Sequence, residues 1–194
     1  MRLATLALVA ASAIAVAACG QKQESADGTN TNVPAETNTA GLDPAVNTAM
    51  PAASGGQTFA NTAAASDAFE IATSQLAEAN GQSAAVKKFA EQMIKAHTES
   101  TAKLKTVTAG LATPITPSPT LSAQQQGVVD DLRSKTGASF DQAYIAAQQA
   151  AHQQTLDALR TYAGTGDVAE LRTFASDLTP TVAAHLNMAK GLKP

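Results

Sequence analysis

The chain has no tryptophan, one cysteine, and only five phenylalanines and two tyrosines in 194 residues. So few large rings leave little to fill the space between packed sheets, and the abundant alanine favours close-packed helices. No run of Lys or Arg occurs, and the formal net charge is −3. That balance argues against a nucleic-acid partner and against anionic lipid held by a basic patch. No segment alternates with period two for long enough to make a strand, and no glycine turn carries a phosphate-binding pattern. A lone cysteine also rules out a Cys-x-x-Cys pair.

The cysteine lies in "MRLATLALVAASAIAVAACG". Arg2 supplies a positive start and Leu3 to Ala15 an apolar stretch of signal-peptide length, too short for a comfortable transmembrane helix. Val16-Ala17-Ala18-Cys19 resembles the bacterial lipobox. The resemblance implies cleavage before Cys19, a diacylglycerol on its thiol, and an acyl chain such as palmitate on its new amine. Several chains on one residue hold a protein to a bilayer stably. Gly20 follows where an aspartate would favour inner-membrane retention. The expectation is an outer-membrane lipoprotein facing the periplasm.

Three regions follow: a lipoprotein signal peptide over 1–18, a lipidated flexible tether over 19–57, and a helical-bundle domain over 58–194. The tether is rich in Asn, Thr, Ala, Gly and Pro without apolar periodicity, so it buries too little surface to offset its ordering entropy. The domain reads as helices with clear punctuation. The first spans about Phe59 to Ala79, with Thr58 as cap and Asn80-Gly81 as stop. The second opens at Ser83 and ends near Gly110. Pro114, Pro117 and Pro119 then make a loop, and a short helix spans Leu121 to Lys135. Ser139 with Gln142 forms a capping-box pattern for a helix from Phe140 to Ala163, and Asp167 with Glu170 repeats it for the last. Pro180 is expected to kink that last helix. The fold class is all-α: an up-down four-helix bundle with an extra short helix crossing between two hairpins.

The blocks "SQLAEANGQSAAVKKFAEQMIKAHT", "FDQAYIAAQQAAH" and "LRTFASDLTPTVAAHL" resemble the bacterial domain-of-unknown-function family 4142. The resemblance spans about residues 58 to 194. It implies a predicted outer-membrane protein with a ferritin-like bundle, and supplies no activity. Its recurring positions fall on Glu70, His97, Phe140, Asp141, Tyr144, His152 and His185. Ala96 stands where the family commonly has an aspartate before the first histidine, so an acidic partner at that point is missing.

The three histidines sit where apolar stripes should continue, as in Phe89, Met93, His97 and Leu104. A ferritin-type dimetal set needs Glu-x-x-His motifs, but Ile94, Gln149 and Val182 occupy the acidic positions. A centre would have to gather Glu70, His97, His152 and His185 one by one. If both inter-helix turns lie at one end, counting from their glycines gives depths of roughly 16, 25, 20 and 30 Å in that order. That spread is too wide for one ion, and it puts Tyr144 near His185 as a hydrogen-bond partner. Glu70 reads as a boundary residue on a solvated flank, and Asp141 as an anion favouring its own helix dipole.

The leading expectation is therefore a non-enzymatic, membrane-anchored envelope protein acting by structure or interaction, with histidines that fix core packing and no cofactor beyond the lipid on Cys19. The alternative is a ferritin-like metal-binding bundle using Glu70, His97, His152 and His185.

Overall fold

A computed structural model describes residues 55–194. The signal peptide, Cys19 and the tether up to residue 54 lie outside the described residues. Five helices follow in order: α1 (Gly55–Asn80), α2 (Ala84–Ala109), α3 (Ala123–Arg133), α4 (Gly137–Thr165) and α5 (Ala169–Gly191). No strand occurs among the described residues. Thus the chain is an all-α bundle, with α1 starting three residues inside the expected tether. No described helix is long and apolar enough to cross a membrane.

Each long helix buries one stripe. On α2 it is Val86, Phe89, Met93, His97 and Leu104. On α1 it is largely alanine and hydroxyl residues, including Ala60, Ala64, Thr73, Ser74 and Ala77. Such small side chains let α1 approach its neighbours closely. Two apolar clusters result. One gathers Phe59, Leu104, Leu156, Phe174 and Leu186, and the other Phe89, Met93, Leu132, Phe140 and Tyr144. The polar centre described below lies between them along the bundle.

Aspartates distant in sequence, Asp141 on α4 and Asp167 in the α4–α5 loop, seal the starts of other helices. Asp141, buried at the start of α4, accepts from the backbone N–H of Gln82 at 3.1 Å and of Ser83 at 2.8 Å. It satisfies orphan donors at the α2 N-terminus, which Ser83 itself leaves uncapped. Its role is thus in another helix's cap, beyond the dipole of its own. At the other end, the Asp167 carboxylate accepts from the Tyr162 hydroxyl at 2.8 Å and from the backbone of Gly55 and Gly56. The expected boxes at Ser139 and Asp167 do not form. The Ser139 hydroxyl donates back to the Thr136 carbonyl, and Val168 is the cap residue of α5. The box that does form is on α3, where Ser122 and Gln125 bond reciprocally. Helix α5 runs on through Pro180 to Gly191.

These contacts settle the topology. The α1–α2 turn meets the start of α4, whereas the α4–α5 turn meets the start of α1. The two turns therefore lie at opposite ends, not at one end as the depth count assumed. The reason is the connection after α2. It starts beside α1's first turn, where Gln57 donates to the Thr116 carbonyl. It passes Asn61, which accepts from the Ser118 N–H, and then Ala65, whose carbonyl accepts from Gln125. With α3 completing the climb, the chain returns to the end where α2 began. Helices α1 and α4 consequently run antiparallel, as the pairs Ser66–Thr155, Thr73–Gln148 and Ser74–Tyr144 record. One long crossover in an otherwise antiparallel four-helix array is the ferritin-like connection.

Candidate metal centre

The structure brings together what the depth count kept apart. Nitrogens of His97, His152 and His185, one per ring, all lie within 4.8 Å of one another. Ring centroids are 5.8 Å apart for His97–His152, 5.8 Å for His97–His185 and 5.6 Å for His152–His185. Glu70 joins them, with Oε1 3.6 Å from His152 Nδ1. The expected spread along the axis is corrected: the turns lie at opposite ends, so depths counted from them share no common origin, and the structure places the four side chains together. On α1 the residue that meets His97 directly is Asp67, one turn before Glu70.

Two of the rings are oriented by partners. His97 Nδ1 is 2.8 Å from Asp67 Oδ1, and the Thr101 hydroxyl donates to Asp67 Oδ2 at 3.1 Å. A carboxylate accepts, so Nδ1 carries a proton, and in the neutral ring Nε2 keeps its lone pair. His152 Nδ1 donates to the Gln148 carbonyl at 2.9 Å, which likewise leaves Nε2 as the free base. The carbonyl can only accept, so this tautomer is forced. His185 is only partly buried. The expected Tyr144 bond to it is absent, because the Tyr144 hydroxyl pairs with Ser74 at 2.8 Å.

Among the described residues, six buried side-chain nitrogen and oxygen atoms lack a hydrogen-bond partner: both Glu70 carboxylate oxygens, Gln148 Oε1, His97 Nε2, His152 Nε2 and His185 Nδ1. Four of the five residues that own them are the centre itself, and the fifth, Gln148, orients His152. Buried polar groups left unpaired cost free energy, and such a group usually marks the place of an ordered water, an ion or a catalytic role. Every one of these atoms can act as an acceptor, and a cation is one group that would satisfy them together.

The electrostatics agree. Burial raises the Glu70 carboxyl from 4.5 to about 7, while His97 and the nearby Gln148 amide, which forms no hydrogen bond to it, pull the value partway back. Burial lowers His152 from 6.5 to about 4, with the His97 and His185 charges adding to the fall. Burial also lowers His185 to about 4, again with His97 adding to it. For His97, burial acts downward but is outweighed by the Asp67 hydrogen bond and the Glu70 carboxylate, so its value lies above 6.5. At neutral pH His152 and His185 therefore present uncharged imidazoles, the form that binds metal.

The geometry fits a tetrahedral ion after modest closure. Bonds of about 2.1 Å to imidazole require nitrogens about 3.4 Å apart. The nitrogens, within 4.8 Å of one another, would have to draw together to reach that spacing. Asp67 behind His97 supplies the carboxylate–histidine pairing that orients metal ligands.

Of the residues singled out from the sequence, Glu70, His97, His152 and His185 meet at one place, with Glu70 fully enclosed instead of on a flank. Asp67 was missed. Its signal was available: it lies three residues before Glu70, so both carboxylates share one face of α1. It supplies the acidic partner that Ala96 cannot.

A crossover four-helix bundle with a buried tri-imidazole, two-carboxylate cluster is the class these features define. The chain belongs to the family described as Domain of unknown function (DUF4142), whose model matches residues 41–192. No curated protein matches it. Two solved structures share the fold. One is CopM in the Cu(II)-bound form, with a TM-score of 0.58 and 18% identity, covering 70% of this chain and 93% of that one. The other is CopM in the Cu(I)-bound form, with a TM-score of 0.54 and the same identity and coverage.

Proposed function

We propose that this protein is a metal-binding helical bundle of the cell envelope, taking a late first-row transition metal on His97, His152 and His185. Its role is to bind the ion, not to turn over a substrate. The observation that carries the reading is the set of orphan acceptor atoms, every one of which belongs to this cluster or to the residue orienting it. Imidazole suits zinc, copper, iron and nickel, and copper binds most tightly among the divalent ions of the series. CopM, which shares the fold, is described in copper-bound forms, and this makes copper the first ion to test. The order of the two expectations from sequence is thereby reversed, with metal binding ahead of a purely structural or interaction role.

The location rests on the lipobox-like Val16-Ala17-Ala18-Cys19 and on Gly20. A lipid-anchored Cys19 and a flexible tether would hold the bundle near the outer membrane, facing the periplasm. Tethering keeps the local concentration of a binding domain high at that surface.

The test is elemental analysis of the full chain, exported to the periplasm and purified without a His-tag or chelator. A variant with His97→Gln, His152→Gln and His185→Gln runs beside it. Near-stoichiometric metal in the native protein, lost in the variant, is the expected result. A metal-free native protein whose melting is unchanged by added copper, zinc, iron or nickel would return the histidines to a packing role.

A further inference from the structure

The charges enclosed around the three imidazoles select among ions. Two carboxylates are buried against the cluster, Asp67 at 4% exposure and Glu70 at 1%. Asp67 is bonded to His97 and Thr101, and no lysine or arginine is buried among the described residues. The arginine and lysine ion pairs of the described residues are all elsewhere, on exposed flanks: Lys103 with Asp177, Arg133 with Asp130, and Lys135 with Asp131. The remaining buried carboxylate, Asp141, is satisfied by backbone N–H groups at the bundle's end. The centre thus holds two carboxylates, and among the described residues neither is paired with a lysine or arginine.

We infer that the site is charge-matched to a divalent ion and discriminates against monovalent Cu(I) and Ag(I). This deepens the proposed metal-binding reading and rests on it. Three neutral imidazoles with two carboxylates around a divalent ion sum to zero. The same shell around a monovalent ion leaves one uncompensated negative charge inside the bundle, and an unpaired buried charge is costly. Imidazole alone would not discriminate in this way, since three nitrogens accept either oxidation state of copper. The two carboxylates add the preference. Glu70 carries the larger share, because both of its oxygens are without a partner, whereas Asp67 is already engaged by two donors.

The test is a competition on the full chain loaded with Cu(II). Ag(I) serves as a redox-inert monovalent probe, and the electron paramagnetic resonance signal of nitrogen-ligated Cu(II) reports occupancy. The native protein is expected to keep Cu(II) until Ag(I) is in large excess, of order a hundredfold. In Glu70→Gln, which keeps size and shape while removing the charge, displacement should occur at an Ag(I) concentration lower by roughly tenfold or more. Equal retention of Cu(II) and Ag(I) by the native chain, at near-equal concentrations, would overturn the charge-matching without touching the metal site. So would an unchanged displacement point in a Glu70→Gln protein of native circular dichroism. Absence of any nitrogen-ligated Cu(II) signal would overturn the metal-binding reading and this inference together.

Discussion

Asp67 and His97 form the contact on which the proposed centre leans most at the level of single residues. The aspartate holds the imidazole by Nδ1 and, through its second oxygen, is itself held by Thr101. Asp67→Asn keeps an acceptor in place but removes the charge that strengthens Nε2 as a base. Copper affinity measured by competition with a chromophoric chelator should fall about 10- to 100-fold, with the fold retained. A wild-type affinity in that variant would make Asp67 a packing residue only. The three histidines could be singled out in the sequence because each interrupts an apolar stripe. Asp67 offered only its three-residue spacing from Glu70, and "ASDAFE" reads equally well as a solvated flank. Only the pairing of α1 with α2 shows which side of that helix is enclosed.

At the scale of helices, the ends are held by side chains from elsewhere in the chain. Asp141 covers the α2 start from 58 residues away. Replacing it with alanine leaves part-buried backbone N–H groups without their carboxylate, and a loss of about 1–3 kcal/mol is expected from urea unfolding. Ser122→Ala removes a local and exposed cap, for about 1 kcal/mol. Its effect should appear as faster hydrogen exchange in α3 alone. This contrast explains what could be read in advance. Helix stops such as Asn80-Gly81 are local chemistry and were visible, whereas the equally local box at Ser122 was not singled out. The apparent boxes at Ser139 and Asp167 had the right residues, but long-range partners and an earlier helix start claimed those positions. The relative height of the two hairpins was hidden for the same reason. It depends on the climb of residues 111–136 along α1, which no residue spacing encodes.

For the whole molecule, the centre makes stability depend on pH and on metal. Glu70, raised to about 7 from 4.5, contributes stability that is complete below 4.5 and lost as pH rises through 7. His152 and His185, lowered to about 4 from 6.5, contribute in the opposite sense, fully above 6.5 and vanishing as pH falls through 4. Between pH 4.5 and 6.5 two histidines oppose one carboxyl, so stability climbs. Above 6.5 the carboxyl remains, joined by His97 with its raised value, and stability declines. The metal-free chain should therefore melt highest near pH 6.5 in a calorimetric series. Glu70→Gln should flatten the decline toward pH 8, and an unaltered decline would place its origin elsewhere. Metal at a hundred times its dissociation constant should add about 2.7 kcal/mol. The ligands also come from both halves of the chain, His97 from the first hairpin and His152 and His185 from the second. A bound ion would thus act as a rivet driven through two halves that the chain otherwise joins only by one crossover. Handing the ion to another molecule would then require the halves to part at least briefly, so the rate of release would be set by the breathing of the bundle rather than by the strength of any one bond.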